Sequence, residues 1–260
     1  MRILITFALK AEFVLWNSRH PFVPYEFENW ERRRIFDLFK AGIGHDEVTV
    51  LLTGMGRESA VRAISSVPFG LHDVCISAGL AGALDPALKA RSVVTPRLTH
   101  TSRRDVGAVS DPVLLDLAAS CGAIAVDSSL TSERIVATAL EKESLCPEGN
   151  IVDMESAHIL AAAQQAGVPG IAVRAISDAA DEDLPVDFRR ILDSQGHLKL
   201  GGLLKEVGLS PYRIPALIQF SRQSRAAAKS LAGFLDRYLP AVSQNYARLT
   251  PARYEEVSAT

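Results

Sequence analysis

Short, continuously apolar segments alternate with helix-like stretches along about the first 180 residues of the chain. The clearest of these segments are Arg2–Ala8, Val48–Thr53, Val74–Ala78 and Ile171–Ile176. Strands that are apolar throughout are typical of a mostly parallel sheet with helices on both faces. The pattern therefore predicts an α/β fold of three layers, with a mostly parallel or mixed sheet in the middle.

Local signals place further elements between these strands. Ser92–Thr95 and Ile151–Val152 are apolar enough to be short strands. Asp111, followed by Pro112, predicts the start of a helix, because the first is a good N-cap and the second suits the first helical position. A second helix is predicted over 154–166, directly after one of the short strands.

The character of the sequence changes from about Asp181, where a polar stretch begins. Residues 211–239 then predict one long, basic amphipathic helix that begins near Pro215. We therefore expect an α/β domain over residues 1–200 and a helical C-terminal extension over residues 201–260, packed on or beside it.

Composition excludes several classes of protein. The 260 residues carry a net charge of −2, whereas nucleic-acid binding usually needs a basic face. The three cysteines are scattered and form no C-x-x-C pair, so neither a disulfide framework nor a zinc site is expected. No signal peptide and no membrane-spanning run is recognisable, which favours a cytoplasmic protein. Because no metal-binding motif is recognisable either, no metal cofactor is expected.

Acidic and glycine residues stand where the predicted strands end. They are Glu12, the glycines of GMG at 54–56 and of GLAG at 79–82, Asp153 with Glu155, and Ser177 with Asp178. Ligands of open parallel sheets bind beyond the carboxyl ends of the strands, so we expect these groups to converge at one edge. Several carboxylates without a metal motif suit a neutral or cationic ligand, or a cationic transition state.

Each of these residues also has a purely structural interpretation. Glu12 can be a first-turn acid favoured by the helix dipole, and Asp153 or Glu155 can cap a helix. The stretch GMGRES imitates a dinucleotide-binding turn, but Ser59 replaces its third glycine and Asp73 lies at the wrong end of the next strand. A dehydrogenase is therefore not favoured.

The motifs LKAEF, GMG, SAGLAGALDPALKARSVV, VDMES and VRAISDAAD follow one another along the chain. In this order they resemble the purine nucleoside phosphorylase and 5′-methylthioadenosine/S-adenosylhomocysteine nucleosidase superfamily, over about residues 1–183. Within it, VDMES and the later RIPALIQFSRQSRAAAKSL are most similar to the hopanoid-associated phosphorylase group, which is linked to the removal of adenine from adenosylhopane. The resemblance implies a nucleoside phosphorylase-type fold, a small nucleoside substrate, no cofactor and a homo-oligomer.

The resemblance also implies roles at the sugar. Glu155 would bind the ribose hydroxyls, Met154 would pack against the sugar, and Glu12 would activate an attacking water. Gly79 belongs to the glycine segment expected to contact the substrate. Asp153 replaces the first glutamate usual in the motif, so the resemblance leaves its role open.

At the base, the resemblance implies that Asp178 protonates or hydrogen-bonds purine N7, with Ser177 helping to hold the ring. Cleavage of the C1′–N9 bond builds positive charge on the ribose and negative charge on the purine. A carboxylate near the sugar stabilises the first, and an acid at N7 neutralises the second. Asp178 would therefore have to carry a proton at working pH, which burial would favour.

Two nucleophiles are compatible with this chemistry, water and phosphate. Phosphorylases of the superfamily place an arginine just before the glycine segment, but residues 75–78 contain no cation, and Leu80 replaces a small hydroxyl residue. Arg57 or Arg91 could compensate, although neither matches the family's phosphate site. Because Glu12 matches the nucleosidases and would repel phosphate, we favour hydrolysis, with a phosphate-dependent phosphorylase as the alternative.

A nucleoside-binding protein without turnover is a third hypothesis, although binding alone does not require three acids. The basic helix at 211–239 could contact an anionic membrane surface, or simply cover the sheet or a neighbouring subunit. The phenylalanine-rich residues 22–39 are candidates for an apolar wall at the 5′ side of the pocket.

Overall fold

The computed structural model describes residues 1–25, 37–185 and 214–249. The strands in these ranges are β1 (Arg2–Phe7), β2 (Val23–Pro24), β3 (Asp37–Ile43), β4 (Asp46–Leu52), β5 (Val74–Ala83), β6 (Val93–Thr101), β7 (Gly107–Val109), β8 (Ile124–Thr131), β9 (Ile151–Asp153) and β10 (Gly170–Asp178). The helices are α1 (Lys10–Asn17), α2 (Arg57–Ile64), α3 (Pro112–Ser120), α4 (Ala139–Leu145), α5 (Ser156–Gln165) and α6 (Ile214–Leu249).

Parallel strands form the centre of the sheet. β1 lies between β4 and β5, and β5 pairs with β10, all in parallel. From β10 the pairing continues through β6, β8 and β9 and returns to β5, so these five strands close into a ring. The pairs β10–β6 and β5–β9 are antiparallel. The sheet is thus mixed, which confirms the predicted α/β fold.

Helices cover both faces of this sheet. On one face, α1, α3 and α6 pack on a large apolar cluster that contains Ile5, Leu114 and Phe234. On the other face, α2 and α5 pack on a second cluster around Leu51 and Ile159. The continuously apolar strands are buried because both of their faces are covered, as the sequence predicts.

Helix α6 is longer than predicted. The sequence places its end at 239, but the helix continues through Pro240 to Leu249. A proline inside a helix removes one backbone hydrogen bond, at a cost of about 3 kcal/mol. Val242 and Tyr246 lie beyond this proline and are buried in the core, which offsets that cost. The proposed domain boundary between residues 200 and 201 lies outside the described residues.

The sequence also misses several elements, namely β2, β3, β7, β8 and α4. It treats GLAG as a turn, whereas β5 continues straight through it to Ala83. The N-cap prediction for α3 is confirmed, since the Asp111 carboxylate accepts hydrogen bonds from the N–H groups of Val113 and Leu114. None of the described helices combines the length and hydropathy needed to span a membrane.

Candidate active site

Glu12 lies in the first turn of α1, close to the carboxyl end of β1, and its side chain is buried. Its Oε2 accepts a hydrogen bond from the N–H of Leu9 at 2.9 Å, which satisfies one free donor at the start of the helix. Its Oε1 accepts from the N–H of Leu80 in β5 at 2.8 Å. The carboxylate is therefore fixed between α1 and the middle of β5.

The glycines of β5 let acidic side chains approach the strand closely. A Cβ on Gly79 would lie 3.1 Å from Oε1 of Glu12, and a Cβ on Gly82 would lie 3.0 Å from Oδ2 of Asp178. Glycine inside a strand often marks such an approach. The segment 79–82, which the sequence presents as a turn, is thus part of a strand, with Glu12 beside Gly79 and Asp178 beside Gly82. We call this segment the glycine strip.

Glu155 reaches the same region from a different strand. β9 runs antiparallel to β5, so its carboxyl end points back toward the middle of β5 instead of toward a common sheet edge. This corrects the expectation that all the acids follow parallel strands. Oε1 of Glu155 accepts a hydrogen bond from the N–H of Gly56 at 2.6 Å. Gly56 has a φ of +83°, which glycine adopts without strain.

Met154 and the GMG loop form one wall of this region. A Cβ on Gly56 would lie 3.7 Å from Cε of Met154, so the thioether packs directly on the loop. The loop that imitates a dinucleotide-binding turn therefore holds Glu155 with its backbone and contacts Met154 with its surface.

Asp153 is a structural residue. Its partner is a buried arginine that is absent from the site residues predicted from the sequence. Its carboxylate caps α5 by accepting from the N–H groups of Glu155 and Ser156, both at 3.2 Å. It also accepts from Nε of Arg174 at 3.1 Å and from the hydroxyls of Thr131 and Ser156. The helix-cap interpretation of Asp153 accounts for two of these contacts.

Arg174 lies in β10 and is 2% exposed. Nε donates to Asp153, Nη1 to the carbonyls of Ser77 and Val173, and Nη2 to the hydroxyls of Ser77 and Ser156. Guanidinium has five N–H donors, and each of them has a partner in the protein. Arg174 therefore brings positive charge to the site but offers no free hydrogen bond to a ligand.

Asp178 ends β10 at the other end of the glycine strip. Its Oδ1 accepts from the hydroxyl of Ser177 at 2.5 Å, and Ser177 Oγ also lies 3.2 Å from the carbonyl oxygen of Ala81. Its Oδ2 lies 2.6 Å from Nζ of Lys142 in α4. In the described structure Ser177 thus orients Asp178. The lysine is absent from the site residues predicted from the sequence.

Burial and mutual repulsion disturb the titration of Glu12 and Glu155. Burial raises the pKa of Glu12 above its ordinary 4.5, although hydrogen bonds from Leu80 and Leu9 and the charge of Arg174 oppose the rise. Burial, followed by the charge of Asp153, raises the pKa of Glu155 to about 8. Glu12 adds to that rise, so the two side chains interact electrically across one small space.

Two of the acids thus lie along one segment of β5, and the third is close to one of them. Glu12 lies beside Gly79, and Asp178 lies beside Gly82, three residues farther along β5. Glu155 is near enough to Glu12 for the charge of Glu12 to raise its pKa. At about 3.3 Å per strand residue, the backbone positions of Gly79 and Gly82 are about 10 Å apart.

The sequence matches the family model described as the phosphorylase superfamily over residues 2–205. The chain belongs to the phosphorylase superfamily. This confirms the resemblance at the level of the superfamily and the prediction that the protein is an enzyme. The match is to the superfamily as a whole and does not identify the hopanoid-associated group. No curated protein matches the chain in sequence.

Solved structures share the fold at low sequence identity. A 5′-methylthioadenosine/S-adenosylhomocysteine nucleosidase from Neisseria meningitidis, in complex with methylthio-immucillin-A, is 20% identical, with a TM-score of 0.68 over 92% of this chain and 98% of that chain. Futalosine hydrolase of Helicobacter pylori is 18% identical, with a TM-score of 0.69 over 92% and 97%. A Streptococcus pneumoniae nucleosidase with 8-aminoadenine is 19% identical, with a TM-score of 0.67 over 93% and 100%. At these identities the likeness shows the fold.

The sequence analysis does not identify two residues of the site, Arg174 and Lys142, and the reasons differ. Arg174 stands inside the VRAISD motif, where an arginine in a buried apolar strand is itself a signal of a buried partner. Lys142 stands on α4, which the sequence analysis does not recognise, and nothing in its neighbourhood marks it as buried. A long-range contact between α4 and β10 is visible in the structure alone.

Proposed function

We propose that this protein hydrolyses the C1′–N9 bond of a purine nucleoside and releases adenine from a 5′-substituted adenosine. The observation that carries the proposal is the placement of Glu12 and Asp178 beside Gly79 and Gly82 of the same strand, with Glu155 in electrostatic reach of Glu12. The superfamily match and the nucleosidases that share the fold support it.

At the sugar end, Glu155 binds the ribose hydroxyls and Met154 packs on the ring. Because the pKa of Glu155 is raised to about 8, this group is protonated in the ligand-free protein at neutral pH and can both donate to and accept from a hydroxyl. Positive charge that develops on the ribose favours its ionised form, so the interaction strengthens in the transition state.

Glu12 activates the attacking water. Burial raises its pKa above the ordinary value, which makes its carboxylate a stronger base than an exposed glutamate. The N–H groups of Leu9 and Leu80 hold the two oxygens in fixed positions, so the base is oriented before substrate arrives. At the other end Asp178 supplies the proton to purine N7 while the C1′–N9 electrons move onto the base.

The hydrogen bonds of Arg174 favour water over phosphate as the nucleophile. Among the described residues it is the cation that acts on both Glu12 and Glu155, and its five donors are already used. Arg57, a candidate substitute, pairs with Glu133 on the protein surface. A phosphate dianion next to two acids needs free cationic donors, and these contacts supply none.

The adenosylhopane substrate is the finer part of the proposal and rests on the resemblance to the hopanoid-associated group. Of the residues suggested for an apolar wall, Phe22 and Phe39 pack edge-on or tilted against Phe13 of α1, with ring centroids 5.1 and 5.3 Å away. Residues 26–36 of that segment lie outside the described residues. These contacts make both phenylalanines part of the apolar cluster that packs around α1, the helix that carries Glu12.

The assay is release of adenine from adenosine, 5′-methylthioadenosine and adenosylhopane, each with and without phosphate. We expect release without phosphate, free ribose as the product, and the highest kcat/KM for the lipid-linked substrate. Asp178→Asn should lose about 10²–10⁴-fold in kcat. A strict phosphate requirement with ribose 1-phosphate as the product would establish the phosphorylase instead. Adenine binding without turnover of any of the three would establish a binding protein.

Membrane contact through the C-terminal helix is a further proposal, and it is limited to the first turns of α6. From Ala227 onward the apolar face of α6 is buried in the core, so it covers the sheet. Ile214 and Ile218 are 39% and 48% exposed, and Arg222, which follows Ile218 by about one helical turn, is exposed too. Flotation with anionic vesicles tests the proposal, since Ile218→Ser with Arg222→Gln should reduce binding, and equal binding would contradict it.

A further inference from the structure

Lys142 is a fully buried lysine with three partners. Its side chain is 0% exposed, and Nζ lies 2.6 Å from Oδ2 of Asp178. Nζ also donates to the carbonyl oxygens of Ala179 and Glu182, each at 2.7 Å. Lysine is almost never fully buried without a paired charge, and here the paired charge is the acid that faces the purine.

The ion pair raises a difficulty for the proposed reaction. Asp178 has to give a proton to purine N7, yet an ammonium at 2.6 Å stabilises the carboxylate without a proton. The expectation that burial alone keeps Asp178 protonated therefore overlooks this partner. The proton needed at N7 must have another source close to Asp178.

As long as one proton is shared between Lys142 and Asp178, the hydrogen bonds of Lys142 are satisfied whichever group carries it. As an ammonium it has three donors, one for each of its partners. As a neutral amine it keeps two N–H donors for the carbonyls of Ala179 and Glu182, and its lone pair accepts from a protonated Asp178. Moving the proton between the two side chains leaves no buried polar group without a partner, so neither state carries that penalty.

We propose that Lys142 stores the proton that Asp178 delivers to the purine, an inference that rests on the proposed function. During cleavage an Nζ–H bond breaks, the carboxyl group carries the proton, and an N7–H bond forms. The electron pair of the C1′–N9 bond goes to the purine, and Lys142 is left as a neutral amine. Solvent returns a proton to Lys142 after adenine leaves. Lys142 acts through Asp178 and is a positioning residue.

The surroundings of the pair hold its geometry in place. Asp183 accepts a hydrogen bond from the N–H of Ala139 at the start of α4, at 2.7 Å. The carboxylate of Glu182 accepts from the N–H of Ala179 at 3.0 Å and from the side-chain amide of Gln223 in α6. The two carbonyls that hold Lys142 are thus fixed to α4 and α6.

Other charged groups around the pair bear on its titration. On β5 the neighbour is Gly82, which has no charge, and on α6 it is the neutral Gln223. The acids are Glu182 and Asp183 of the segment after β10, together with Glu141 of α4, which is bonded to Arg134 at the surface.

The dependence of kcat on pH distinguishes proton storage from simple charge stabilisation. If Lys142 stores the proton, the reactive pair is neutral overall and persists until the ammonium titrates, so wild-type kcat persists at alkaline pH. In Lys142→Met the carboxyl must hold its own proton, so kcat falls at lower pH than in wild type. If Lys142 merely stabilises the carboxylate, its removal lets the carboxyl keep its proton to higher pH, and the fall moves the other way.

We expect Lys142→Met to lose about 10²-fold or more in kcat at about pH 8.5 and far less at about pH 5.5, with KM changed little. Lys142→Arg keeps the charge but cannot release a proton, so it should lose kcat at every pH. The exposed Lys229→Met is the control. Adenine binding and thermal unfolding report whether each variant keeps its fold.

Three results would overturn the proposal while leaving hydrolysis intact. The first is an undiminished kcat in Lys142→Arg. The second is an alkaline fall of kcat that moves to higher pH in Lys142→Met. The third is a kcat of the wild-type protein that already falls with a midpoint between about pH 4 and 6, the ordinary range of a carboxyl group. The last needs no variant. Wild-type protein that releases no adenine at any pH would instead refute the proposed function.

Discussion

Replacement of Glu155 by glutamine should stabilise the protein in a manner that depends on pH. Burial and the neighbouring charge of Asp153 raise the pKa of Glu155 from 4.5 to about 8. A carboxyl group with a raised pKa supports folding fully below its unfolded pKa and loses that contribution as pH rises through the folded value. Glutamine keeps an oxygen for the N–H of Gly56 but has no charge to bury.

The magnitude follows from the linkage between proton binding and folding. The difference between 4.5 and about 8, at about 1.36 kcal/mol per pH unit, sets an upper limit of about 5 kcal/mol on the cost of ionising Glu155 in the fold. Between pH 5 and pH 8 most of this cost develops, about 3 kcal/mol. For a chain of this length that corresponds to about 6–12 °C in the unfolding midpoint.

Thermal unfolding of both proteins at about pH 5 and pH 8 measures the effect. The advantage of Glu155→Gln should be small at the lower pH and large at the higher one, while adenine release falls about 10²-fold or more, since the ionised form that stabilises the ribose cation is gone. An equal difference in midpoint at both pH values would refute the reasoning, because it would mean that Glu155 ionises in the fold as readily as in water.

Other substitutions test separate parts of the site. Gly79→Ala should lower kcat about tenfold, because its Cβ would lie 3.1 Å from the Glu12 carboxylate, while Gly70→Ala, whose Cβ meets nothing within 4 Å, is the control, and equal kcat would contradict the close approach. Arg174→Met should cost about 3–5 kcal/mol of stability in denaturant unfolding by leaving a buried carboxylate unpaired, and an unchanged midpoint would contradict it. Asp236→Asn should cost about 2 kcal/mol, since Asp236 accepts three hydrogen bonds from α1 and the turn after it, and undiminished stability would show that they contribute little.

The apolar pattern predicts much of the sheet because burial on both faces leaves a direct trace in the sequence. β1, β4, β5 and β10 are all found within a few residues of their predicted positions, since each is continuously apolar. β8 reads IAVDSSLT and escapes, because its hydroxyl residues make hydrogen bonds inside the fold, as Thr131 does with Asp153. α4 reads ALEKESL and lacks an apolar face, since its one buried side chain is Lys142.

The acids can be recognised from the sequence, but their geometry cannot. Local signals place Glu12 and Asp178 at strand ends, whereas the antiparallel direction of β9 depends on long-range pairing that no local signal reports. The same limit applies to the glycines of β5. A glycine-rich stretch suggests a turn until the position of Glu12 and Asp178 shows why a side chain there would clash.

The choice between water and phosphate shows why counting charges in a sequence is not enough. Residues 75–78 contain no cation, which by itself favours hydrolysis, yet the guanidinium of Arg174 lies on Ser77 of that same segment. A positive charge is therefore present where a phosphate-binding arginine is expected, and proximity alone would reverse the inference. Hydrogen-bond capacity is the argument for the proposed hydrolysis, because a phosphate needs free donors and Arg174 has already committed its five to Asp153, Ser156, Val173 and Ser77. To bind phosphate through Arg174 the protein would have to break buried hydrogen bonds of that residue, whereas a water molecule needs only the acceptor that Glu12 provides.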